Sequence, residues 1–88
     1  MNIIIKLDHS FQPFAGNRKT VEVKGDTVKE CLDNFIGLYP IFKEILFDVG
    51  GTLSALVMVE GKAVVPKDLD RPVSRDREIT LLPMIQGG

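Results

Sequence analysis

The chain has no tryptophan, one cysteine (Cys31) and one histidine (His9). A lone cysteine cannot close an internal disulfide, whereas small secreted domains are commonly stapled by several. A reducing cytoplasm is therefore the expected setting. One cysteine and one histidine also leave no cluster for a zinc site, and no metal is expected. Net charge is scarce as well: 11 Lys and Arg stand against 12 Asp and Glu, for a formal charge of −1. Without a basic patch, or a Lys/Arg run interleaved with aromatics, neither nucleic acid nor anionic lipid has an electrostatic foothold. No apolar run approaches the roughly 20 residues needed to span a bilayer. The opening Met1-Asn2-Ile3-Ile4-Ile5-Lys6 is too short and too soon charged for a signal sequence. Phosphate-binding glycine patterns are missing, and His9 stands alone, so no Ser/Cys–His–acid set can be assembled. The expected protein has no catalytic residues of its own.

What is present suffices for one small folded domain. Of 88 residues, 44% are apolar, an ordinary fraction that argues against disorder. Ile3 to Leu7 is apolar and β-branched and reads as a first strand, with Ile3, Ile5 and Leu7 on one face. After a turn region containing Pro13 and Gly16, Thr20 to Lys24 alternates polar and apolar residues as a half-buried second strand would, and the two form a hairpin. Gly25-Asp26 breaks the strand. Thr27-Val28-Lys29-Glu30 then fits a capping box, with the Thr27 hydroxyl accepting from the Glu30 amide and the Glu30 carboxylate reaching back to the Thr27 amide. Val28, Cys31, Leu32, Phe35 and Ile36 follow on one helical stripe. Pro40 suits the start of a shorter helix through Ile41, Phe42, Ile45 and Leu46, ended by Asp48-Val49-Gly50-Gly51. Leu53 to Glu60 is a third strand. Gly61-Lys62 turns it into Ala63-Val64-Val65, a charged connection runs from Pro66 to Pro72, and Glu78 to Met84 is the last strand.

The order ββαββ, with one main helix to cover one face of a mixed sheet, predicts an α+β roll. If the first and last strands pair in parallel, the helical stretch is the long crossover such pairing requires. That arrangement is the β-grasp, or ubiquitin-like, fold, assigned to residues 1–83. Residues 84–88 form a flexible tail, because Met84-Ile85-Gln86-Gly87-Gly88 has no alternation to hold it in the sheet.

This tail is where chemistry can reside. Fully extended it reaches on the order of 17 Å, and Gly87 and Gly88 lack Cβ atoms, which suits a tight channel into another protein's active site. An α-carboxylate titrates near about 3.5 and is ionised at neutral pH, hence a poor acyl donor. A partner must activate it as an acyl adenylate before a sulfur nucleophile can displace AMP and leave a thiocarboxylate. A terminal Gly-Gly arises by chance in about one chain in 200. Its weight therefore comes from the strand that runs directly into it.

The sequence resembles the ubiquitin-like sulfur carriers, of the molybdopterin synthase small-subunit and thiamine-pathway type. The likeness spans nearly the whole chain: Gly25-Asp26-Thr27-Val28, Tyr39-Pro40, Leu56-Val57-Met58-Val59-Glu60-Gly61, and most specifically Arg71-Pro72-Val73, Glu78-Ile79-Thr80-Leu81-Leu82-Pro83 and Gly87-Gly88. The resemblance implies a β-grasp fold and adenylation of Gly88 by an E1-like enzyme that uses ATP. No cofactor is held stably. It also implies a sulfur donor protein, and an acceptor such as the large subunit of molybdopterin synthase or another sulfur-accepting enzyme. Molybdopterin biosynthesis ranks ahead of the thiamine pathway or another sulfur-carrier role. A ubiquitin-like modifier conjugated through Gly88 and a plain interaction module are the other readings. Two departures bear on partner choice. The family's acidic turn before the last strand is here Arg75-Asp76-Arg77-Glu78, and guanidiniums cannot make the ion pairs of carboxylates. The Pro-Pro common in the molybdopterin branch is Pro83-Met84.

Strand alternation also predicts a partner surface. With Ile79 and Leu81 inward, Thr80, Leu82 and Met84 point outward, joined by Leu56 and Met58 from the third strand and Ile4 from the first. Leu82, Leu56, Met58 and Ile4 are the expected docking residues, and Met84, Ile85, Gln86 and Gly87 the residues by which the tail is recognised. Cys31 is read as a buried small hydrophobe, His9 as a solvated turn residue, and Gly50-Gly51 as a turn.

Overall fold

The computed structural model describes residues 2–73 and 78–84. Its strands are β1 (Asn2–Leu7), β2 (Thr20–Lys24), β3 (Ala55–Val59), β4 (Lys62–Ala63) and β5 (Glu78–Pro83). Its helices are α1 (Val28–Leu38) and α2 (Phe42–Leu46). The strands form one sheet in the order β2-β1-β5-β3-β4. β1 and β5 pair in parallel at its centre, Ile5 opposite Ile79 and Leu7 opposite Leu81, and every other neighbouring pair is antiparallel. This is the expected β-grasp roll.

One face of the sheet makes the core. Ile3, Ile5, Val57, Ile79 and Leu81 are completely buried, together with Val28, Cys31 and Phe35 of α1 and Phe42 and Leu46 of α2. Phe42 ties the layers together: its ring stands 4.7 Å from that of Phe35 and meets Phe11 edge-on at 6.0 Å. Phe11 comes from a 3₁₀ helix, His9–Ala15, where sequence reading expects only a turn. The Asp8 side chain caps it, and Gly16 ends it at φ 65°.

The capping box at α1 differs from expectation in one bond. The Thr27 hydroxyl accepts from the Glu30 amide at 3.1 Å, but the Glu30 carboxylate reaches past Thr27 to the Asp26 amide at 3.0 Å. Residues of the 66–73 connection supply the remaining acceptors. The Val28 amide donates to the Arg71 carbonyl and the Lys29 amide to the Leu69 carbonyl. The helix start is thus satisfied jointly, by the Thr27 side chain and by the backbone of that connection. Close packing here explains Gly25, where a Cβ would lie 2.7 Å from Cys31 Sγ and 2.8 Å from the Cys31 nitrogen.

The second hairpin, β3 to β4, turns one residue earlier than the sequence suggests. Val59 pairs with Lys62 across the two-residue loop Glu60-Gly61, whose φ values of 56° and 77° are those of a type I′ turn. β3 is also shorter than expected, because Leu53 forms only an isolated bridge with Phe47. Gly51 turns at φ 82°, while the Asp48 carboxylate accepts from the Gly50 and Thr52 amides.

Candidate functional site

Among the described residues no layer of helices covers the outer face of the sheet, and the strand registers arrange it in three rows. Nearest the end of β5, Leu56 stands opposite Leu82. Asp8 adjoins them, because its amide donates to the Leu81 carbonyl at 3.0 Å. The middle row runs Met58, Thr80, Lys6. In the far row Ile4 lies between Glu78 and Glu22. Ile4, Leu56, Met58, Thr80 and Leu82 are all half-buried, as side chains on an open sheet face must be.

Leu56, Leu82 and the diagonal Met58 therefore make one continuous apolar strip. Ile4 shares the face but not the strip. A polar row separates it from Leu82, and carboxylates flank it on both sides. The Lys6 ammonium is engaged by Glu78, Nζ to Oε2 at 3.7 Å.

At its upper end the strip opens into a shallow groove of about 450 Å³, lined by Asp8, Leu56, Leu82, Pro83 and Met84. β5 ends here for a local reason: Pro83, opposite Ala55, has no amide to continue the ladder. Met84 leaves the sheet and is 48% exposed. Gly88, Gly87, Gln86 and Ile85, expected to carry and guide the chemistry, lie outside the described residues, as do Arg75 and Arg77.

Asp8 is the residue that sequence reading misses. Its Oδ2 accepts from the Ser10 amide at 3.1 Å and the Ser10 hydroxyl at 2.6 Å. Those hydrogen bonds hold the carboxyl below the ordinary carboxylate range. The parallel pairing of β1 with β5 could have placed Asp8 beside Leu82, but only once the register was known.

The groups set aside on sequence grounds have structural roles. Cys31 is fully buried on α1, and burial pushes its thiol up to about 11, so it remains protonated at neutral pH and cannot relay sulfur as a thiolate. His9 is exposed on the 3₁₀ helix. No group of three or more potential metal ligands occurs among the described residues. Nor is any helix among them long and apolar enough to cross a membrane.

No family model matches the sequence, and no curated protein matches it significantly. Solved structures do. SAMP1 from Haloferax volcanii is 28% identical, with 100% of both chains covered and a TM-score of 0.82. A chain of the Amycolatopsis orientalis BexX/CysO complex is 25% identical over 98% of this chain and 99% of that one, with a TM-score of 0.81. A chain of the complex of subunits 1 and 2 of molybdopterin-converting factor from Helicobacter pylori shares the fold, with 18% identity, full coverage of both chains and a TM-score of 0.66.

Proposed function

We propose, on its likeness to ubiquitin-like sulfur carriers and modifiers, that this chain is a sulfur carrier that works through the carboxylate of Gly88. The observation that carries this reading is the end-to-end likeness to SAMP1 and CysO at 28% and 25% identity. An E1-like enzyme joins the Gly88 carboxylate to the α-phosphate of ATP, releasing pyrophosphate. A sulfur nucleophile delivered by a donor protein then displaces AMP and leaves a thiocarboxylate. The chain supplies no catalytic group to these steps. Its part is to present the carboxylate through Met84, Ile85, Gln86 and Gly87, and to be gripped by the strip of Leu56, Met58 and Leu82. The thiocarboxylate then gives its sulfur to an acceptor enzyme in the cytoplasm. We assign that acceptor as the large subunit of molybdopterin synthase, on the resemblance across Glu78–Pro83 and Gly87-Gly88.

A second reading has its own support. The neighbour at 28% identity is a small archaeal modifier protein, and a modifier would join activated Gly88 to lysines of other proteins. Intact-mass measurement separates the two. The chain is incubated with the E1-like enzyme of its own cell, ATP and a sulfur donor. Exchange of one oxygen for sulfur on the wild type, absent when Gly88 is deleted, is the expected result. Covalent adducts to other proteins without that exchange would establish the modifier instead. An unchanged mass with an enzyme proven active on another carrier would refute both.

A further inference from the structure

Resting on that reading, we propose that Asp8 is a specificity residue for the activating enzyme. Its carboxylate receives an arginine or lysine of that enzyme, while an adjacent apolar side chain of the enzyme enters the groove between Leu56, Leu82, Pro83 and Met84.

Three observations converge on this assignment. First, Asp8 lines the groove at the row closest to the start of the tail, so a group bound there lies beside the segment that must be threaded. Second, the carboxylate is held in place. Ser10 contributes two hydrogen bonds, both to Oδ2, and the His9 backbone adds a weaker one to the carboxyl. An ionised carboxylate has more acceptor sites than these bonds use, and one fixed in place binds a cation with little further ordering cost. Third, among the described residues no Lys or Arg pairs with this carboxylate, the Lys6 ammonium on the same face being engaged by Glu78. The lining is otherwise apolar, and an ion pair at its edge forms in contact with solvent, where salt screens it. An anionic rim on an apolar groove selects a cationic, part-apolar protein segment and rejects an acidic one.

Asp8 also caps the 3₁₀ helix, so its substitution must spare that role. Asn and Ser both retain an N-cap acceptor without charge. The affinities of wild type, Asp8→Asn and Asp8→Ser for the E1-like enzyme are measured at low and high salt, beside thermal unfolding of each. The expected result is binding about five- to tenfold weaker for both variants at low salt, converging with wild type at high salt. Unfolding curves should stay close to wild type. Equal affinity of wild type and variants at both salt levels overturns the role of Asp8 while leaving sulfur carriage intact. A weakening that persists unchanged at high salt also overturns it, since a lost ion pair is screened. If wild type neither binds the enzyme nor gains sulfur, the functional reading itself fails and the assignment falls with it.

Discussion

The two faces of the sheet are built from alternate residues of the same strands, yet they do opposite work. On the inner face Ile5, Val57, Ile79 and Leu81 have no exposed surface and share one hydrophobic core with residues of α1 and α2. On the outer face Ile4, Leu56, Met58 and Leu82 are half-buried, and no described helix covers them. Stability is therefore concentrated on one side of the backbone, leaving the other open to evolve contacts. Leu81 and Leu82 put the contrast into two consecutive residues. The sharpest way to break it is to truncate the first. Leu81→Ala removes a fully buried side chain from the central strand and should cost about 2–5 kcal/mol, read as a lower denaturant midpoint with unchanged slope. A cost below about 1 kcal/mol would show that the inner face is not the seat of stability.

The inner side also has a titratable probe. Burial raises Cys31 from an ordinary value of 9.0 to about 11. A group raised in the folded state contributes stability that is complete below the unfolded value and is lost as pH climbs through the folded one. Between about pH 9 and pH 11 the unfolded thiol releases its proton while the folded thiol keeps it. Stability should therefore fall across that window by up to about 2–3 kcal/mol. Cys31→Ala, starting from a lower stability at neutral pH, should lack this component. Parallel pH profiles for the two proteins would show that Cys31 is not sealed in the core.

Much of this division is legible in the sequence, and its gaps have physical causes. The Ile3/Ile5/Leu7 and Ile79/Leu81 alternation states which side of each strand is buried, because a one-residue slip would expose the whole set. The Thr27–Glu30 box marks the helix start, though not which amide Glu30 reaches. Asp26 wins over Thr27 through the local path of the chain, which composition does not encode. The 3₁₀ helix at His9–Ala15 is hidden by Pro13, which reads as a turn, and is held by Phe11 packing on Phe42 far along the chain. Asp8 escapes notice for a related reason: its neighbours Leu82 and Pro83 are distant in sequence and near only through the parallel register.

The smallest stability effect should come with a large functional one. Leu82→Ser alters a half-buried residue on the uncovered face, where substitutions commonly change stability by about 1 kcal/mol or less. The same change removes one side of the Leu56–Leu82 pair and makes the groove at the tail polar. Affinity for the activating enzyme should fall about tenfold or more, since central apolar contacts dominate most interfaces. Calorimetric binding and thermal unfolding on the same sample set the two numbers side by side. Were Leu82→Ser to destabilise as much as Leu81→Ala, the outer face would be part of the core and its openness to a partner an illusion. Were it to leave both stability and affinity untouched, the strip would be surface without a role, and the enzyme would have to grip the tail alone.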